Sequence, residues 1–192
     1  MNKHIRLFNV IAPVYAWFFK GQRRRYRDFI KRLGNHCECQ SILDVGFGTG
    51  ALMRELYDAG KEVHGVDGAP RMVRTAKRKV PQIAENLHQG DLNEGLAYEE
   101  GAFDCVVSSY VVHGLPSAMR KRYYAEAKRV SKGCVIFYEH SDSPSVLIKI
   151  AEFFEGGEFF RFRKKHQREL REHFTDVKTL KMSKSVVVHI LR

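Results

Sequence analysis

From residue 41 onward the chain alternates between short apolar runs and longer amphipathic stretches. The runs at 41–45, 62–66, 86–89, 103–109 and 134–140 predict strands. The stretches at 50–59, 71–79, 117–131 and 144–155 carry apolar residues at helical spacing and predict helices. Strands alternating with helices predict a parallel sheet covered on both faces. Near the end, 176–182 and 185–191 are separated by a short turn and predict an antiparallel hairpin. Ahead of the sheet, 14–33 predicts one amphipathic helix. Tyr15, Phe18, Phe19, Tyr26, Phe29, Ile30 and Leu33 recur at helical spacing, while Lys20, Arg23, Arg24, Arg27 and Lys31 lie elsewhere on the cylinder.

With 192 residues the chain has room for one full domain and little beyond it. It reads as a single domain, 1–192, with an N-terminal helical lid over 1–36 and a core over 37–192. A hydrophobic content of 44% and a charged content of 29% fit a soluble globular protein. Residues 1–10 lack the apolar core of a signal peptide, and the expected location is cytoplasmic. Of the four cysteines, Cys105 and Cys134 fall inside predicted strands, where a thiol serves as a small apolar filler. The run His36-Cys37-Glu38-Cys39 has the look of half a metal site. No second Cys/His pair stands at a matching distance, so the expectation is a reduced, metal-free protein.

Net charge is +11, with basic residues gathered at 20–32, 71–79, 120–132 and 161–171. Such charge permits nucleic acid, a phosphorylated substrate or anionic lipid as partner and selects none of them. Peripheral membrane contact would run through the basic, aromatic helix at 14–33.

The stretch Ile42-Leu43-Asp44-Val45-Gly46-Phe47-Gly48-Thr49-Gly50 carries the chemistry. An apolar strand ends in glycines at alternate positions, and the helix that follows offers free N–H groups in its first turn. Two cofactor classes fit. Gly46, Gly48 and Ala51 satisfy a dinucleotide fingerprint, with Asp67 near the distance of a ribose carboxylate. Tyr124 and Lys128 also reproduce the Tyr-x-x-x-Lys spacing of short-chain dehydrogenases, although the glycine spacing of those enzymes is absent.

Read as Asp44, Gly46, Gly48 and Gly50, the same stretch resembles motif I of the class I S-adenosylmethionine (SAM) dependent methyltransferases. The resemblance runs from about residue 40 to 140 and continues in register. Asp67 and Gly68 follow the second strand, Gly90-Asp91-Leu92 follows the third, and Phe103 to Ser109 resembles motif IV. It implies a seven-stranded, mostly parallel Rossmann-like α/β sheet closed by an antiparallel hairpin. It further implies that Asp67 accepts from the ribose hydroxyls, that Asp91 accepts from the adenine amino group, and that Leu92 borders the ring. The implied cofactor-binding set is Asp44, Gly46, Phe47, Gly48, Gly50, Asp67, Gly68, Met72, Asp91, Leu92 and Ser108. SAM is the implied cofactor and S-adenosylhomocysteine the product.

The acceptor is harder to read, because positioning alone accounts for much of the rate in methyl transfer. Ser108-Ser109-Tyr110-Val111 stands where amino-methyltransferases acting on adenine or glutamine carry Asn/Asp-Pro-Pro-Tyr. Candidate catalytic residues are His113, Tyr110 and His140, with Glu139 beside them. His113 serves either as a general base or as a packing residue. The aromatic segments 15–19 and 153–160 are expected to form a lid. Asn9 to Tyr15 resembles the opening of the ubiquinone/menaquinone methyltransferases. A small methyl acceptor, hydrophobic or anionic, is the expected partner; RNA or protein within the same fold, and a non-catalytic SAM-binding or membrane-surface module, are the alternatives.

Overall fold

The computed structural model describes residues 19–34, 36–141 and 158–192. Helix α1 (Phe19–Leu33) precedes a strand-and-helix series: β1 (Ser41–Val45), α2 (Ala51–Asp58), β2 (Glu62–Asp67), α3 (Pro70–Lys79) and β3 (Leu87–Gln89). The series continues with β4 (Phe103–Ser109), α4 (Ser117–Val130), β5 (Ser131–His140), α5 (Glu158–His173), β6 (Val177–Lys181) and β7 (Val186–Leu191). The strands form one sheet in the order β3-β2-β1-β4-β5-β7-β6. Pairing is parallel from β3 through β5, and β7 runs antiparallel to both β5 and β6. This is the Rossmann-like sheet with a closing hairpin expected from the sequence. Strand order reverses between β1 and β4, and the crevice beyond their carboxyl ends is where ligands bind in open α/β sheets.

Neighbouring residues of each strand feed opposite faces, as the two-residue repeat of a strand requires. Ile42, Cys105 and Ile136 pack under α1, α2 and α3, while Leu43, Val106 and Val135 pack under α4 and α5. The two cores cover both faces of the central strands, and exposed residues remain on the edge strands β3 and β6.

Helix α1 buries Phe19, Tyr26, Phe29 and Leu33. The rings of Tyr26 and Phe29 stand edge-on to Tyr138 of β5, at 5.5 and 5.1 Å between centroids. Arg23 and Arg27 both bind the buried carboxylate of Glu55 on α2. The described part of the expected 14–33 helix therefore packs its apolar face against the sheet and α2. Among the described residues no helix is long and apolar enough to cross a membrane.

Helix α5 was not expected. Phe162, His166, Leu170 and Phe174 are buried at four-residue spacing, but the surrounding arginines and lysines hide that stripe in the sequence. The lid expected at 153–160 falls mostly outside the described residues, as do the helix at 144–155 and Tyr15, Trp17 and Phe18. Phe19 is in the core.

Candidate active site

The glycine loop leaves β1 with Gly46, Gly48 and Gly50 all at positive φ, at 77°, 56° and 81°. Only glycine takes such angles without strain. The reasons for glycine differ between positions. A Cβ on Gly46 would come within 2.4 Å of Val111 Cγ2, whereas a Cβ on Gly48 would meet no protein atom within 4 Å. Gly46 is the seat of the loop after β4. Gly48 borders open space, as a ligand-facing position should.

Two acids stand behind this loop. Asp67, at the end of β2, accepts the backbone N–H of Gly48 on Oδ2 and that of Ala69 on Oδ1, both at 2.8 Å. Burial pushes its carboxyl up to about 6, although these two N–H bonds pull the other way. Each oxygen keeps a lone pair for a further donor. Asp44 is fully buried, and neither of its oxygens meets a hydrogen-bond donor among the described residues. Burial, and after it the charge of Asp67, push its carboxyl well above the usual range. A buried acid without partners is costly, and a cationic or donor-rich ligand would offset that cost. Beyond β3, the carbonyl of Asp67 accepts the N–H of Gly90, and Asp91 Oδ1 accepts the backbone and side-chain N–H of Asn93. The expected ribose and adenine acids thus follow adjacent parallel strands.

Tyr110, directly after β4, takes a positive φ of 58° although it is not glycine. Its N–H is held by the carbonyl of Tyr138 at 2.8 Å. Its ring lies 4.3 Å from that of His140 and edge-on to that of Tyr138 at 5.2 Å. His113 joins the group, 5.3 Å from His140 between ring centroids. Nδ1 of His113 lies 2.6 Å from Oε2 of Glu139, whose Oε1 accepts the N–H of Val112 at 2.9 Å. Burial alone would push the Glu139 carboxyl up, but the charge and hydrogen bond of His113 more than offset it and hold it below the usual range. His140 is driven the other way: burial, then the neighbouring His113, lower it to about 4. All three catalytic candidates are thereby brought together, and the contact of Val111 with Gly46 sets them beside the glycine loop.

Other expected residues sit further back. Ser108 is fully buried, with its hydroxyl bonded to that of Tyr123. It therefore props the end of β4 against α4. The rings and thioether of Phe47 and Met72 are buried, Phe47 lying where a Cβ on Gly65 would strike it. Leu92 packs partly against the core under α4, and Gly68 is half-buried. One pairing and one contributor were missed. Glu139 as the partner of His113 follows from the register of β5 against β4, which the sequence does not display. Ser109 Oγ pairs with the Tyr26 hydroxyl at 2.6 Å and ties α1 to the site.

The fold, with its glycine loop after β1, is that of the class I SAM-dependent methyltransferase domains. Residues 42–133 match the model of a methyltransferase domain family. A demethylmenaquinone methyltransferase of Renibacterium salmoninarum is 30% identical over 130 residues, covering 66% of this chain and 53% of that protein. The chain spans between about a third and just under two thirds of the length of curated relatives that it matches. Among solved structures, a protein of Pyrococcus horikoshii aligns with a TM-score of 0.70 at 20% identity, covering 88% of this chain and 90% of its own. Phosphoethanolamine N-methyltransferase 2 of Haemonchus contortus, solved in complex with SAM, aligns with a TM-score of 0.59 at 22% identity over 80% of this chain and 37% of its own. The cofactor of this class is SAM, and the open loop at Gly48 with the unpartnered Asp44 fits it.

Proposed function

We propose that the protein transfers a methyl group from SAM to a small metabolite of hydrophobic or anionic character. One observation carries the reading: Val111 seats on Gly46, so the His113–Glu139 pair stands next to the cofactor loop. When bound, SAM supplies an electrophilic methyl carbon on its sulfonium. The chain's own residues supply the rest. Asp67 would accept from the ribose hydroxyls, Asp91 from the adenine amino group, and Leu92 would border the base. Asp44 suits a cationic group of the cofactor, and the loop glycines let the main chain approach it. His113, with Nδ1 held by Glu139, offers Nε2 to take a proton from the acceptor. Tyr110, Tyr138 and His140 make an aromatic wall beside it, and such a wall suits an apolar or aromatic acceptor.

Two acceptor classes come from the relatives. One is named for demethylmenaquinone, a quinone, and another for phosphoethanolamine, an anionic amine. The aromatic wall favours the first and the net charge of +11 favours the second. Calorimetric titration with SAM, S-adenosylhomocysteine and NAD tests the cofactor, with micromolar binding of the first two expected and heat from NAD alone overturning the reading. Transfer of labelled methyl from SAM to a panel of quinols, phenols and phosphorylated amines then separates the acceptors.

A further inference from the structure

The four cysteines converge at the opposite end of the sheet from the candidate active site. Cys37 and Cys39 lie in the link between α1 and β1, Cys105 lies early in β4, and Cys134 lies in the first half of β5. All four sulfurs stand within 4.8 Å of one another. This corrects the expectation of isolated, filler thiols: the adjacency of β4 and β5 and the course of the link into β1 bring together residues as far as 97 apart in sequence.

The sulfurs are paired as Cys37–Cys134 and Cys39–Cys105. Sulfurs of different pairs are also in van der Waals contact. Sγ of Cys105 is 3.3 Å from Sγ of Cys134, and Sγ of Cys39 is 3.9 Å from it. Four ligands at about 2.3 Å around a tetrahedral zinc ion place their sulfurs about 3.8 Å apart. The Cα atoms of Cys37 and Cys134 are 6.9 Å apart. That lies at the far limit of the ~4.4–6.8 Å a disulfide usually spans, whereas a bridging ion tolerates it. Three of the sulfurs are buried and Cys37 is half-buried beside a cavity of about 360 Å³. His36 and Arg192 line the same cavity. Arg192 is fixed there by donating to the carbonyl of His36 and to Asp176, both at 3.1 Å. A guanidinium at the mouth complements the double negative charge of a tetrathiolate zinc centre.

We propose that the reduced cluster of Cys37, Cys39, Cys105 and Cys134 binds one zinc-class divalent ion. Reaching that form from the paired one takes four electrons, two for each disulfide, supplied by a dithiol reductant that leaves as its own disulfide. Binding then displaces four thiol protons. With all four positions filled by protein the site is structural. It clamps the link that follows α1 to the starts of β4 and β5, and so holds the helix that reaches Ser109 through Tyr26.

The test uses the intact wild-type chain, purified under dithiol reductant without chelator. Elemental analysis should find one zinc per chain, and cobalt(II) added to the demetallated, reduced protein should give intense tetrathiolate d–d bands that saturate at one equivalent. Cys37→Ser should weaken and shift those bands, and because Cys37 is only half-buried this variant should keep the circular dichroism of the parent. Stripping the ion should lower the melting temperature and speed tryptic cleavage within 19–36. A folded, reduced wild-type protein that retains no metal and gives no cobalt–thiolate bands overturns the proposal. So does persistence of both disulfides in protein held under dithiol, seen as a mass four hydrogen atoms below that of the fully reduced chain.

Discussion

Nδ1 of His113 lies 2.6 Å from one oxygen of Glu139, while the other oxygen holds the backbone N–H of Val112. Glu139 is buried and held below the usual carboxylate range, so it is ionised near neutral pH and can only accept. Nδ1 therefore donates to it, and in the neutral ring the basic nitrogen is Nε2. One carboxylate both selects the tautomer and locks the backbone one residue before the ring.

From this pair we expect His113→Ala to lower turnover by about 10²–10⁴-fold and to leave SAM affinity unchanged. Glu139→Gln should be comparably damaging without unfolding the chain. Its amide oxygen can keep the bond to Val112, which turns the amide N–H₂ toward Nδ1 and forces the proton onto Nε2. A buried carboxylate-to-amide change of this kind in a serine protease costs about 10⁴-fold by that route. Parallel losses of turnover and of SAM affinity in His113→Ala would instead mark the imidazole as a packing residue.

Asp67 links the site to pH. Its folded pKa of about 6 is above the ordinary value of 3.8. Between those values the folded chain holds more protons than the unfolded one, so this group's contribution to stability declines as pH rises through the window. At neutral pH the apoprotein carries a cost of about 3 kcal/mol from it. Ribose hydroxyls donating to the ionised form reverse the balance, so SAM binding should release a proton below pH 6. Affinity should fall up to about tenfold per pH unit on the acid side. Titrations in two buffers of different ionisation heat measure the proton count directly. Asp67→Ala should abolish SAM binding at every pH.

Gly46 and Gly48 should respond differently to a side chain. Gly48→Val places its Cβ where no protein atom lies within 4 Å, so the fold should persist at a cost of about 1–2 kcal/mol for the left-handed backbone, with SAM binding lost. Gly46→Ala drives a methyl into Val111 and should displace the segment carrying His113, lowering turnover as well as binding. Val111→Ala in the same chain should restore part of the turnover, and the double-mutant cycle measures that coupling. Strict additivity of the two substitutions would contradict the seating of one loop on the other.

Strand boundaries were legible to within three residues because each apolar run at 41–45, 62–66 and 103–109 stops where glycine, acid or hydroxyl residues begin. The order of acids at the ends of β1 and β2 and after β3 was legible for the same reason. What stayed hidden depends on neighbours in space. Ser108 and Ser109 look alike in the sequence, yet successive strand residues face opposite ways, so one supports Tyr123 and the other meets Tyr26. The partner of His113 and the convergence of the cysteines both depend on pairing β4 with β5, which no local pattern encodes. Helix α5 was obscured by cationic residues that cover its buried stripe.

That stripe yields a prediction of its own. His166 is buried against the rings of Phe162 and His189, at 4.1 and 4.6 Å, and neither ring nitrogen finds a hydrogen bond among the described residues. Burial first, then the nearby His189, lower its pKa to about 3 from 6.5. Between those values the unfolded chain binds the extra proton, so stability should climb as pH rises from 3 to 6.5 and level off above. His166→Leu keeps an apolar side chain of similar volume and removes both the unmade hydrogen bonds and the titration. At pH 7.5 it should be neutral or stabilising by about 1–3 kcal/mol, and near pH 5 its advantage should grow by about 2 kcal/mol. Urea unfolding at the two pH values decides the matter: an equal effect at both would mean that the imidazole is solvated, and that α5 opens there.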